Sequence, residues 1–204
     1  KYYEGAKRAD HYFSYCPSMI NLESAYYTDI ESKILEKSQE VFYRNLLSEF
    51  YQIKQKEKLT NDEYLELMVK YVQSLPYDYE KVSRKTFQVR FPIETAVEGK
   101  GICSDKSLLL AGLLTCSGYA VSILSFEKEE HMMVGLPVSQ NSGSLNTGHL
   151  FIETTTPSII GCYADEPGKE NLVIKSVPNI YKIGYGKIRY TKVKEVIAVS
   201  NVRK

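Results

Sequence analysis

Three residues of chemically useful type follow one another in this sequence: a thiol at Cys103, an imidazole at His131 and a carboxylate at Glu153. A thiol attacks only as thiolate, and the unpaired amides and dipole at a helix N-terminus stabilise that anion. Cys103 stands at such a place. The run ICSDKSLLLAGLLTCSG, residues 102–118, is apolar almost all round after its first few residues, the pattern of a helix buried on most sides and ended by Gly118. Gly99 and Gly101 allow a tight approach to it, and Ser104 or Asp105 can cap its first turn. Most cysteines are small buried hydrophobes. Cys116, near Leu113, Leu114 and Tyr119, reads as one of these, and so do Cys16 and Cys162. Cys103 differs in its polar company, Ser104, Asp105 and Lys106, and in standing ahead of the apolar run.

A nucleophilic thiolate exchanges its proton with an imidazole that a third group orients. Of the 3 histidines, His11 lies in an aromatic stretch and reads as packing or surface, whereas His131 and His149 each open a strand-like run. The runs YAVSILSF (119–126), HMMVGLPV (131–138) and HLFIETTT (149–156) predict an antiparallel meander, joined by EKEE and by SQNSGSLNTG. On the third run, alternation puts Phe151 and Glu153 on the face of His149. A register setting His131 opposite Glu153 also sets Met133 opposite Phe151 and Gly135 opposite His149. Cross-strand partners lie roughly 5 Å apart, and residues four apart on one strand about 13 Å. Glu153 can then orient His131 but not His149. The plain alternative is a Glu153 exposed at a sheet edge.

These residues need a scaffold. Residues 22–58 carry Ile30, Ile34, Leu35, Val41, Phe42, Leu46 and Phe50 at three- and four-residue steps, which predicts helix, with IKQKEK (53–58) reading equally as its end or boundary and as a solvated helix face. Thr60 with Glu63 three residues on predicts a capping box for a second helix that stops before Pro76. Residues 77–101 read as irregular loop, and IRYTKV and VIAVS in the tail as further strands.

Lys and Arg (26) nearly balance Asp and Glu (25), leaving +1, so no global field recruits nucleic acid. No apolar run is long enough to span a bilayer. The 4 cysteines are too sparse for a disulfide framework, and neither they nor the histidines fall at zinc-ligand spacings. No metal or cofactor is expected. The opening KYYEG, without Met or an apolar signal segment, reads as a processed or trimmed fragment, such as one from an exported or membrane-anchored protein. No compartment can be read from it.

GKGICSDKSLLLAGLL (99–114) resembles the cysteine segment of transglutaminase-like cysteine proteins, in which a Gly-x-Gly-x-Cys turn feeds an apolar helix. HMMVG resembles their histidine strand, and GHLFIETT (148–155) the strand that ends in an acid and Thr. The resemblance covers roughly Thr60–Thr156. It implies a papain-like α+β fold, with the nucleophile on a central helix packed on an antiparallel sheet. The expected division is an N-terminal helical extension, 1–58, and a catalytic core, 59–204. By the resemblance, Cys103 is nucleophile, His131 base and acid, and Glu153 the orienting carboxylate. Relatives mostly carry Asp there. The implied reaction is acyl transfer from the amide of a protein or peptide. Hydrolysis is favoured over crosslinking, and a binding module without turnover is the remaining reading. For the oxyanion, the Cys103 amide is a better donor than Gln88, which reads as a solvated loop residue.

Overall fold

A computed structural model describes residues 22–84, 88–139, 142–162 and 174–202, without the side chains of 22–28 and 200–202. His11 and Cys16, and the side chains of Tyr26 and Tyr27, lie outside the described set. The helices are α1 (Leu22–Leu35), α2 (Glu40–Lys56), α3 (Asn61–Ser74), α4 (Tyr79–Ser83), α5 (Pro92–Glu98), α6 (Cys103–Cys116) and α7 (Val193–Val202). The strands are β1 (Ala120–Phe126), β2 (His131–Pro137), β3 (His149–Ile152) and β4 (Asn179–Tyr185), in one antiparallel sheet of order β3-β2-β1-β4. The fold is α+β, as expected. Among the described residues no helix is long and apolar enough to cross a membrane.

The stretch expected as one helix breaks at Glu36, whose backbone is extended. The buried Gln39 accounts for the break. Its Nε2 donates to the Lys33 carbonyl at the end of α1, while its Oε1 accepts the Ile93 amide of α5 at 3.0 Å. α3 starts as predicted: Thr60 Oγ1 accepts the Glu63 amide at 3.3 Å, and Glu63 Oε2 accepts the Thr60 amide at 2.8 Å.

Residues 77–101 are not a plain loop, because they hold α4 and α5. The signals lie in the sequence itself: α5 has Pro92 at its first position, Glu94 accepting the Phe91 amide at 2.9 Å, and Gly99 at φ 65° as its left-handed stop. The tail departs from expectation too. VIAVS lies inside α7, where Val196 is buried and Val193 and Ile197 pack on the core, a helical spacing that its β-branched residues disguise. IRYTKV forms no strand beyond the bridge of Ile188 to Tyr119, and the fourth strand is instead NIYKIGY.

α6 is the axis of the core. Leu108, Leu109, Leu110, Leu113 and Leu114 are all 0% exposed, enclosed by Ile30 and Ile34 of α1, Tyr43 and Phe50 of α2, Leu65, Met68 and Val72 of α3, and one face of the sheet. The other sheet face buries its own cluster of Leu124, Phe126, Met133, Phe151 and Ile174. Phe126 and Phe151 meet there edge-to-face at 5.4 Å.

α2 closes on α6 at one glycine. A Cβ on Gly112 would lie 2.0 Å from the Tyr43 hydroxyl, which is fixed by donating to the Ile34 carbonyl at 3.1 Å. In an open helix Gly→Ala gains up to about 1 kcal/mol, whereas overpacking a filled core costs about 1–3 kcal/mol. Here the clash wins. Gly112→Ala is expected to destabilise the protein by about 1–2 kcal/mol in denaturant titration, and in a Tyr43→Leu background the same change is expected to be neutral or favourable.

Candidate active site

Cys103 is the first residue of α6 and is half-buried, following Ile102 in an extended conformation. Of the two caps expected, Asp105 is the one used: its Oδ2 accepts the Ile102 amide at 3.2 Å. This carboxylate is fully buried and would be costly alone. Lys81 Nζ meets it at 2.7 and 2.8 Å, the Arg90 amide at 2.8 Å and Arg90 Nη1 at 3.2 Å. Arg90 Nη2 continues to Asp78 at 2.7 Å, and Lys100 reaches Asp78 at 3.2 Å. Burial pushes the Asp78 carboxyl up, but the bonds from Arg90, Lys81 and Lys100 outweigh it and bring its pKa down to about 2. Below this network Gly101 donates to the Pro76 carbonyl at 3.1 Å and accepts from the Asp78 amide at 3.3 Å. A Cβ there would sit 2.9 Å from that of Asp105, which is why the turn into α6 takes glycine.

His131 and Glu153 come together. His131 Nε2 lies 2.9 Å from Glu153 Oε2, with the two side chains 0% and 1% exposed. An ionised carboxylate only accepts, so Nε2 carries the hydrogen. Burial raises the carboxyl pKa, yet the bond and charge of His131 and the bonds of Thr155 pull it below its ordinary value. Oε1 accepts the amides of Thr154 and Thr155, both at 2.8 Å, and the Thr155 hydroxyl at 2.7 Å. Those amides are thereby lost to the ladder, and β3 ends at Ile152, short of the predicted Thr156.

The register differs from expectation by two residues. Phe151 pairs with Gly135 and His149 with Pro137, so Glu153 stands beyond the end of β3 and reaches His131 diagonally. A slip of two keeps every side chain on its face, and the extra methylene of Glu spans the diagonal.

α6 docks beside this pair. Ser107, one turn beyond Cys103 on the same face, donates to the Met132 carbonyl at 3.1 Å and shares a hydrogen bond with Thr154 Oγ1 at 3.1 Å. These contacts are to the residues next to His131 and Glu153. Lys106 is fully buried, with Nζ at 2.7 Å from the Leu75 carbonyl, 3.3 Å from that of Gln73 and 3.4 Å from that of Thr155. Gln73 Nε2 in turn donates to the Glu153 carbonyl at 2.8 Å. Sequence reasoning assigned no role to Lys106, Ser107 or Gln73. The signal available was a lysine and a serine three and four residues after Cys103, on the helical face it shares.

His149 is committed elsewhere. Its Nε2 pairs with Ser122 Oγ at 3.2 Å and its Nδ1 with the Thr147 carbonyl at 3.2 Å, and burial lowers its pKa. Cys162 is buried as read, and Gln88 is exposed. Cys116 is a correction. It is exposed, because it occupies the last turn of α6 and turns outward while Leu113, Leu114 and Tyr119 face inward. It lines a cleft of about 560 Å³ with Tyr43, Tyr51 and Tyr64, at the far end of α6 from Cys103. Among the described residues no group of three His, Cys, Asp or Glu could hold a metal ion.

A family model described as a transglutaminase-like domain matches residues 44–178. No curated protein and no solved structure matches the chain.

The ion network under α6 has a pH signature. Because the pKa of folded Asp78 lies near 2, below the ordinary 3.8, its contribution to stability is complete above about pH 4 and is lost as pH falls through 2. Unfolding free energy measured from pH 5 to pH 2 is expected to fall less steeply in Asp78→Asn than in the parent, from a lower starting value.

Proposed function

The chain belongs to the transglutaminase-like family, and from that premise we propose that it performs thiol-dependent acyl transfer on amide bonds of a protein or peptide, as a cysteine peptidase or amidase. In this reading Cys103 is the nucleophile, His131 the general base and acid, and Glu153 the orienting carboxylate. The observation that carries it is the buried 2.9 Å bond between His131 and Glu153, beside the polar N-terminal turn of α6.

With Nε2 held by Glu153, the work on the thiol falls to Nδ1 of the same ring. That nitrogen takes the Cys103 proton as sulfur attacks the amide carbonyl. The Cys103 backbone amide, at the positive end of α6, donates to the oxyanion. The imidazolium then protonates the departing amine, leaving a thioester on Cys103. Glu153 stabilises the imidazolium and fixes its ring without taking its proton. Water then attacks the thioester while His131 removes a proton from it, and the carbon–sulfur bond breaks to release the carboxylic acid and return Cys103 as thiolate beside the imidazolium. Water is favoured as acceptor because it is always present, whereas crosslinking also requires a bound amine and a shielded thioester.

Cys103→Ala is expected to stay folded and lose all amide cleavage. His131→Ala is expected to do the same, while His149→Ala at most weakens activity. Glu153→Gln keeps an acceptor but removes the charge, so its rate is expected to fall by at most several powers of ten, less than on loss of the nucleophile. The exposed Cys116 is an internal control for iodoacetamide labelling at mildly acidic pH. Rapid single labelling at Cys103 supports the reading. Equal, slow labelling of both thiols overturns it in favour of a binding module, and incorporation of an added amine into a glutamine substrate would move the activity to crosslinking.

A further inference from the structure

A buried ammonium is expensive unless other groups compensate it, so the fully buried Lys106 calls for a reason. Its three carbonyl partners come from two places. Those of Gln73 and Leu75 are the C-terminal end of α3, the negative end of that helix dipole. The third belongs to Thr155, whose amide and hydroxyl both grip Glu153 Oε1. Lys106 therefore joins three pieces of the site: the first turn of α6, the end of α3 and the segment holding the carboxylate.

Carbonyl dipoles solvate a cation without neutralising it. The opposing charge is that of Glu153, just beyond the end of β3 and bonded to His131 of β2. The end of α3 presents Lys106 with the backbone carbonyls of Gln73 and Leu75. Asp105, its neighbour on α6, is taken by Lys81 of α4 and by Arg90. Burial pushes the Lys106 pKa down to about 8, with the Glu153 charge working the other way, so at neutral pH the group is still mainly a cation.

We propose that Lys106 is a positioning residue of the acyl-transfer site, an internal cation that ties the Thr155 segment carrying Glu153 to α6 and biases Cys103 and His131 towards their reactive, charged pair. This rests on the reading of the site given above. A positive charge here favours anions near it, so its removal is expected to make the reactive thiolate harder to form. A strut that only held the loop would change the height of a pH profile and leave its position alone.

The experiment is the pH dependence of iodoacetamide labelling at Cys103, with Cys116 as reference, in the parent, Lys106→Met and Lys106→Arg, each checked for folding by circular dichroism. In Lys106→Met the labelling midpoint is expected to rise by about one pH unit, roughly a tenfold slower reaction on the acid side. Lys106→Arg is expected to restore it. A folded Lys106→Met with an unmoved midpoint overturns the proposal. Should Lys106→Met not fold, the Lys106 titration followed by NMR in ¹³C-lysine-labelled parent and Glu153→Gln decides. Its pKa is expected to drop by about one unit when the carboxylate is neutralised, and an unchanged value overturns the proposal. If Cys103 of the parent labels no faster than Cys116 at acidic pH, it is the acyl-transfer reading that fails, whatever Lys106 does.

Discussion

A helix enclosed on every side must still begin somewhere, and its first amides have no partners inside it. In α6 this constraint organises the stretch from Asp78 to Asp105. The carboxylate that satisfies the Ile102 amide is itself buried, so it needs Lys81 and Arg90. Arg90 then needs Asp78, and Asp78 fixes the first turn of α4 through the Lys81 amide at 3.1 Å. Each charge drawn inward requires another, and the chain closes at the surface with Lys100, Glu80 and Glu98. The outcome is a bed of paired charges for the residues just before Cys103, leaving the cysteine itself half-open at the head of a rod that is buried from Ser104 to Leu114.

The same logic appears at the end of the sheet with the signs rearranged. Glu153 is surrounded by donors from its own next two residues and by the His131 ring, and Lys106 approaches the same segment from α6. Two anionic centres, Asp105 and Glu153, thus lie to either side of one turn of helix, each with its own cations. α6 transmits the position of one to the other because its remaining length is fixed by leucines that touch α1, α2, α3 and the sheet.

Much of this was legible in the residues. The apolar run after Cys103 announced the buried helix, the Thr60 and Glu63 pair its capping box, and the three runs opening at residues 119, 131 and 149 the meander. What could not be read has physical causes. Alternation fixes a strand's face but not its register, and a slip of two residues is invisible to it; that is why Glu153 was set directly opposite His131. NIYKIGY carries no clean strand alternation, because its burial is uneven, with Ile183 inside and Tyr185 out. VIAVS looked like a strand by composition, though the positions of Val193, Val196 and Ile197 are helical. The inward turn of Lys106 depends on carbonyls of α3 and of the segment after β3, distant in sequence, which no local pattern contains.

The diagonal between His131 and Glu153 also bears on how such sites diverge. Side-chain length and strand register are two settings of one ruler: the longer acid suits the diagonal pairing seen here, and a shorter one in its place would need a closer pairing. Exchanging Glu for Asp, ordinarily among the mildest replacements, would leave charge and face intact and still fall short of the ring. A lineage could pass between the two acids only by moving the strand as well, so sequence comparisons that score the two as equivalent at this position overlook a change in backbone alignment.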